Sequence, residues 1–305
     1  MSSKSRKVKS SVKVPKFLLA LIRILGIVSP AILVRFLAKL FTTPIKHKLP
    51  KREMEMDRNS KQIVLPIPAL NKSIVVYEYG NSPKKILLVH GWSGRGTQLF
   101  KFADALVSQG FSTISFDAPA HGKSSGKKTL MPEFISSIHE IDKKYGPFEA
   151  AIGHSLGGMS LLNAVKAGLI LDSLVIIGSG DIVDDIITDF ISKLKVPQKY
   201  AARMRAHFEK ISNEPMDNYS AYHAASSTKI RTLVIHDEYD DEVPVSSGKH
   251  IYQHLQNGEL IITKGLGHRK ILGDDKVINT ALNFIINNKY EKYTSTSDRI
   301  YDNRM

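Results

Sequence analysis

Ser155 stands at the apex of Gly153-His154-Ser155-Leu156-Gly157, a stretch whose residue types and spacing could support covalent chemistry. The short apolar run Phe148–Ile152 before it suits a buried strand, and the run Gly158–Val165 after it suits a helix, so only a five-residue turn joins them. So tight a reversal strains the apex residue and brings the positions two before and two after it into collision, which calls for glycine at 153 and 157. The hydroxyl then projects above the sheet edge, and the N–H of Leu156, at a helix start, points toward whatever the serine attacks. The bare Gly-x-Ser-x-Gly pattern arises by chance in about one chain in ten of this length, so its surroundings decide. A serine hydroxyl is a poor nucleophile at neutral pH and needs a base within reach and a carboxylate to orient that base.

The elements that must position such groups are legible from Lys85 onward, where strand and helix signals alternate. Strands are predicted at Ile86–Val89, Ser112–Phe116, 148–152, Ser173–Ile177, Thr232–Ile235 and Leu260–Thr263. Helices are predicted at Thr97–Gln109, Pro132–Tyr145, after the elbow, Ser247–Leu255 and Asp275–Ile286. Repeated alternation predicts an α/β fold with a mostly parallel sheet and helices on both faces. Gln62–Pro66 and Ser73–Tyr79 read as a leading antiparallel hairpin closed near Asn71. One segment breaks the alternation: Asp181 to Lys229 carries helix-like runs at Ile182–Leu194 and Gln198–Ile211 and no strand signal. An insertion there, at the C-terminal edge of a parallel sheet, reads as a small helical cap (181–229) over the ligand-binding edge.

The net charge of +14 suggests a nucleic-acid binder until it is mapped. Residues 1–52 hold thirteen Lys and Arg and no acid, which leaves 30 basic against 29 acidic residues in the remainder. The body is electrically neutral, and nucleic-acid binding is set aside. With no cysteine in the chain, disulfide frameworks, thiolate zinc sites and cysteine nucleophiles are excluded.

The basic segment is an N-terminal arm (1–52). Residues 1–16 are Ser/Lys-rich. Residues 17–41 are mostly apolar but interrupted by Arg23, Arg35 and Lys39, and Ser29-Pro30 reads as a cap followed by a first-turn proline that splits them into two helices. Lys16 and Arg23 share one face of the first helix, Arg35 and Lys39 one face of the second, and Leu33, Phe36, Leu37 and Leu40 form the opposite surface. Two amphipathic helices lying on an anionic membrane, with the basic tail adding attraction, are the expectation for residues 1–41. Packing of these helices on the body, or a single membrane anchor, are the alternatives. No A-x-A-like site follows the apolar region, so a secretory signal is not expected, and the protein is placed in the cytoplasm, peripheral on the membrane. Residues 42–60 read as a polar linker, 60–290 as the main domain and 291–305 as a polar tail.

Over residues 62–288 the chain resembles an α/β-hydrolase. Motifs occur in that family's order, each after a predicted strand: His90-Gly91-Trp92, then Asp117-Ala118-Pro119-Ala120-His121-Gly122-Lys123-Ser124, then the elbow. The resemblance implies that the N–H of Trp92 joins that of Leu156 in an oxyanion hole, that His90 is architectural, and that Asp117 and His121 support a turn in which Ala and His stand where glycines are common. It also implies the chain order Ser, acid, His. The base is then His268 in Lys264-Gly265-Leu266-Gly267-His268, and the pattern D-x-x-V-P selects Asp240 from the acidic loop Asp237–Glu242, with Asp241 and Asp237 as alternatives. His154 is expected to point away along the elbow, and His236, His250 and His254 to be strand-end or surface-helix residues.

The function implied is hydrolysis of carboxylic esters through an acyl-enzyme on Ser155, with no metal and no organic cofactor and with a small-molecule or lipid ester as substrate. A thioesterase or acyltransferase using the same triad, or an idle membrane-tethered scaffold, are the alternatives. Oligomeric state is left open.

Overall fold

The computed structural model describes residues 14–286; the first part of the basic tail and the whole of the polar C-terminal tail lie outside them. Two helices come first, α1 (Lys16–Val28) and α2 (Pro30–Phe41), then the short α3 (Met54–Asn59). The antiparallel strands β1 (Lys61–Ile67) and β2 (Lys72–Tyr79) follow, turning at Asn71 in the left-handed region. The alternating part runs β3 (Lys85–Val89), α4 (Phe100–Ser108), β4 (Ser112–Asp117), α5 (Met131–Tyr145), β5 (Ala150–His154), α6 (Leu156–Lys166) and β6 (Ser173–Ile177). After it come α7 (Val183–Lys193), α8 (Lys199–Ser212), α9 (Ala221–Ser227), β7 (Arg231–Asp237), α10 (Val245–His254), β8 (Gly258–Thr263), α11 (Gly267–Lys270) and α12 (Asp275–Ile286).

The eight strands form one sheet in the order β1-β2-β4-β3-β5-β6-β7-β8. β1 and β2 are antiparallel to their neighbours and every later pairing is parallel. Its central strands are apolar on both faces because helices cover both. Leu87, Val89, Ala151, Leu174, Ile176 and Val234 point into the layer built by α5, α6 and α10, whereas Ile86, Leu88, Ile152, Val175, Leu233 and Ile235 point toward α4 and α12. Period-2 alternation thus splits one continuous run of apolar residues between two cores. Parallel order also brings the C-terminal ends of β3, β4, β5, β7 and β8 to one edge.

Three details differ from the sequence reading. The stretch 42–60 is more than a polar linker: it contains α3, and Glu53 and Met56 are buried. Within the expected cap range, α7 and α8 pack on each other and on the short turn Met216–Tyr219, whereas α9 buries Ala221, Ala224 and Ala225 and packs on α6 and α10. Finally, the apolar surface of the second arm helix is turned inward. Leu33, Val34, Leu37 and Ala38 are buried and α2 packs on α8, with Phe41 set edge-on to Phe190 at 5.1 Å. A stripe at helical spacing says that one face is apolar, and here the protein itself covers it.

Ser29, extended at φ −164° and ψ 125°, breaks the arm into its two helices, and Pro30 opens the second. α1 buries only Ile22, against α2, and leaves Phe17, Ile24, Ile27 and Val28 facing outward. No helix of the described residues is long and apolar enough to cross a membrane.

Candidate active site

Ser155 stands between the end of β5 and the first residue of α6, with φ 53° and ψ −119°. A non-glycine residue in that region stores on the order of 1–3 kcal/mol of strain, which the flanking glycines make possible. A β-carbon on Gly157 would come within 2.3 Å of Val89 O, and one on Gly153 within 2.7 Å of the Gly157 backbone. The Ser155 N–H is tied to Ile177 O of the neighbouring strand at 2.9 Å. The turn is therefore clamped on both sides and the hydroxyl is held at the sheet edge.

Asp240 and His268 meet there. His268 Nδ1–H donates to Asp240 Oδ2 at 2.7 Å, with both side chains almost wholly buried. Because Nδ1 carries the proton, Nε2 is left as the basic nitrogen. The other carboxylate oxygen, Oδ1, accepts the N–H groups of Glu242 at 2.9 Å and Val243 at 2.8 Å, so the valine of the D-x-x-V-P loop fixes the carboxylate's orientation. Burial alone would raise this carboxyl. Hydrogen bonds from His236 and His268, the charge of His268 and the Val243 N–H outweigh it and hold Asp240 well below the usual carboxylate range. Of the alternatives, Asp237 is committed elsewhere: it accepts from Tyr239 N–H, Thr263 Oγ1 and Leu266 N–H and so braces the loop that carries His268.

The loop after β3 lies against the elbow. A β-carbon on Gly91 would sit 3.0 Å from Ser155 Cβ, so glycine lets the two backbones approach. Among the described residues no hydrogen bond uses the N–H of Trp92 or of Leu156. Two buried histidines brace this loop. His90 donates from Nδ1 to Gly91 O at 2.7 Å and accepts the Ala118 N–H on Nε2 at 3.0 Å. His121 accepts the Ser93 N–H on Nε2 at 3.0 Å and meets the Trp92 ring edge-on at 5.4 Å. Burial pushes His90 down to about 4 and His121 down to about 3, so both stay neutral and can each accept as well as donate. Asp117 ties the same loop to β4, accepting the Gly96 N–H at 2.7 Å on one oxygen and Lys123 N–H and Tyr77 OH on the other.

Four residues carry parts of this site that the sequence did not reveal. His154 does not point away: its Nε2–H donates to the backbone carbonyl of His268 at 2.9 Å, and the two rings lie 4.6 Å apart. His236, fully buried, donates from Nε2 to Val243 O at 3.1 Å with Asp240 Oδ2 3.5 Å away, so it lies beneath the carboxylate rather than on a surface. Gly178, at φ 55°, borders the acid–base pair so closely that a β-carbon would stand 3.3 Å from His268 Nδ1 and 3.4 Å from Asp240 Oδ2. Glu53, 2% exposed, accepts from Arg95 Nη1 at 2.9 Å and Thr97 Oγ1 at 2.8 Å and so pins the segment after the arm to the loop that carries Trp92. Only Gly178 had a usable sequence signal, as a glycine directly after a predicted strand at the ligand edge. His154 and Glu53 depend on contacts between segments 42 to 114 residues apart in sequence, and His236 on the way the turn after its own strand folds back over it.

Among the described residues no group of three or more histidine, aspartate or glutamate side chains is arranged to hold a metal ion. No protein of curated function matches the sequence significantly. Solved structures do. An esterase from Exiguobacterium antarcticum aligns at a TM-score of 0.57 with 16% identity over 70% of this chain and 96% of that one. The proline iminopeptidase of Mycobacterium smegmatis gives 0.56 with 14% identity over 74% and 97%. A membrane phospholipase A described as a bacterial virulence factor gives 0.59 with 16% identity over 89% and 99%. At such identities the likeness is one of fold, and an esterase, an iminopeptidase and a phospholipase share it. A sequence profile of the alpha/beta hydrolase family matches residues 86–269, from the first strand leading into the site to the residue after His268. By that match, over more than half of its length, the chain belongs to the alpha/beta hydrolase family.

Proposed function

We propose that the protein is a serine hydrolase that cleaves carboxylic esters through an acyl-enzyme on Ser155, working at a membrane surface on a lipophilic ester. The observation that carries this reading is the buried Asp240–His268 hydrogen bond of 2.7 Å at the sheet edge that also holds the strained Ser155. In the first step Ser155 Oγ attacks the ester carbonyl carbon and its proton passes to His268 Nε2. The oxyanion that forms accepts the N–H groups of Trp92 and Leu156. Collapse expels the alcohol, which takes the proton from His268 and leaves an acyl group on Ser155. Water then attacks that ester, giving a proton to His268, and the acid departs as the serine recovers its proton. Asp240 keeps the imidazole in the tautomer this sequence needs and stabilises its protonated form. Ser155 Oγ forms no hydrogen bond to His268 among the described residues, a looseness common in free enzymes that tightens on substrate binding.

The lipophilic part of the reading rests on the arm. α1 turns an uncovered apolar face outward, and residues 1–52 carry thirteen basic residues and no acid. The full-length protein treated with a fluorophosphonate probe is expected to label on Ser155 and to hydrolyse short p-nitrophenyl esters. Ser155→Ala is expected to do neither. Labelling that persists in Ser155→Ala would overturn the assignment, and a wild type that neither labels nor turns over would favour an idle scaffold.

A further inference from the structure

A cationic recess opens just beyond the C-terminal end of α1 in the chain. At 100° per residue, Ala20, Ile24, Ile27, Phe17, Val28 and Leu21 fall within an arc of about 120°, and Lys16 and Arg23 line one edge of it. Ile27 is 85% and Phe17 76% exposed. Immediately beyond Val28, the first turns of α2 and the side of cap helix α8 enclose a recess of about 390 Å³ lined by Pro30, Ala31, Val34, Arg35, Arg203 and His207.

Among the described residues its arginines are free of ion pairs, unlike two other cations of the inserted helices. Arg205 pairs with Asp184, and Lys193 with Asp189 at 2.6 Å. Arg35, Arg203 and His207 have no acidic partner among the described residues, and Arg203 is steadied instead over the Tyr200 ring at 5.4 Å. Two guanidinium groups converging on one small recess suit a phosphate, whose oxygens match the planar fork of arginine. The recess wall itself is apolar, supplied by Pro30, Ala31 and Val34. Bare apolar surface adjoining phosphate-seeking cations is what a phospholipid presents in reverse: a phosphate beside acyl chains. A second copy of this chain fits poorly as the occupant, because docking two arms would bring together two segments of thirteen basic and no acidic residues each.

We propose that the recess between α2 and α8 seats the headgroup phosphate of an anionic phospholipid while the face of α1 from Phe17 to Val28 enters the bilayer interface. The proposal rests on the surface-seeking reading of the arm and adds a specific seat to it. Such a seat would also fix orientation. α2 is joined to the cap through Phe41, which meets Phe190 and Phe208, and the next segment is joined to the loop of Trp92 through the hydrogen bond from Ile45 N–H to Ser93 Oγ at 3.0 Å. A lipid held in the recess therefore sets which side of the cap faces the bilayer.

The test uses the full-length Ser155→Ala protein, so that no lipid is consumed, in flotation with phosphatidylcholine vesicles made with and without phosphatidylglycerol. Binding is expected to need phosphatidylglycerol. Arg35→Gln/Arg203→Gln is expected to weaken it about tenfold or more, whereas Lys143→Gln/Lys144→Gln, which removes the same charge on α5, changes it less than about twofold. Arg35→Lys/Arg203→Lys, which keeps the charge and loses the fork, is expected to fall between. All the substituted side chains are exposed, and unchanged thermal midpoints would show that the fold is intact. Equal losses in the two glutamine pairs would reduce the effect to net charge and overturn the seat. Glycerol phosphate that saturates the recess in the absence of vesicles and displaces the protein from them would identify a soluble phosphate ligand and overturn the lipid assignment. A parent protein that floats with neither vesicle would overturn both the seat and the membrane reading, while fluorophosphonate labelling of the unmodified protein would still judge the hydrolase separately.

Discussion

His154 Nε2 donates a hydrogen bond to the backbone carbonyl of His268 at 2.9 Å, so the residue before Ser155, the proposed nucleophile, holds the backbone of His268, the proposed base. Burial, followed by the charge of His268, pushes His154 down to about 3, and it stays the neutral donor this bond requires. Ser155 and His268, more than a hundred positions apart in sequence, are thereby spaced by one side chain.

Removing that spacer is expected to act on the rate rather than on binding. His154→Ala leaves the His268 carbonyl without its donor and opens a void beneath the ring. A displacement of the base by a fraction of an ångström to 1 Å predicts a loss in kcat of about 10- to 100-fold. KM and the acyl-chain preference should change little. Steady-state kinetics and the rate of fluorophosphonate labelling should fall together; a lowered thermal midpoint with an unchanged labelling rate would reduce His154 to a packing residue.

Asp240→Asn gives a sharper outcome. Oδ1 accepts two backbone N–H groups, from Glu242 and Val243, so an asparagine must keep its oxygen there and turn its NH₂ toward His268. His268 would then have to accept on Nδ1 and carry its proton on Nε2, the wrong tautomer for a base. The expected loss in kcat is on the order of 10³- to 10⁴-fold, with the fold preserved by circular dichroism. Asp241→Asn, at a carboxylate outside this network, should remain within about threefold of wild type.

The parallel sheet and the site loops were legible in sequence because their signals are local. Ser173–Ile177 is continuous and apolar, and the elbow places its glycines where backbone geometry demands them. Asp240 was separable from Asp237 and Asp241 only through the resemblance that reads D-x-x-V-P, and the structure shows what the spacing does: the backbone N–H three positions on orients the carboxylate. What could not be read were contacts between distant segments. Leu33 and Leu37 announce an apolar face but not that α8 covers it. Nothing in Lys51-Arg52-Glu53 says that the glutamate is buried on Arg95 and Thr97. His236, next to last in its strand, could read as exposed, and only the turn after β7, which folds Val243 and Asp240 back over it, shows otherwise.

The Glu53 bond predicts that the segment after the arm and the loop that carries Trp92 are energetically coupled. Breaking a buried ion pair from one side costs about 3–5 kcal/mol, but Arg95 retains some access to solvent, so Glu53→Ala is expected to destabilise by on the order of 2–3 kcal/mol in urea unfolding. Turnover of a short ester should also slow, because Arg95 and Thr97 lie a few residues beyond Trp92. The double variant Glu53→Ala/Arg95→Ala should recover part of the stability; full additivity of the two single changes would mean the pair is not coupled.

The buried histidines predict acid sensitivity with a defined window. Burial lowers His90 from 6.5 to about 4 and His121 and His154 to about 3 in the folded protein, with repulsion from a neighbouring histidine adding to the shift in the last two. Between those values and 6.5 the unfolded chain binds more protons than the native one, so stability falls as pH falls. Each histidine contributes a slope of up to about 1.4 kcal/mol per pH unit. Their stabilising effect is complete above about pH 6.5 and is drawn down as pH falls toward 4. Asp240, whose folded carboxyl is depressed, adds a loss in the same direction that begins only as pH falls below its ordinary value of 3.8. Urea unfolding at pH 7, 6 and 5 should therefore give progressively lower free energies. His121→Gln, whose Oε1 can stand where Nε2 accepts the Ser93 N–H without a titrating ring, should make that slope shallower by about one proton; an unchanged slope in His121→Gln would show that this ring is already protonated in the native state.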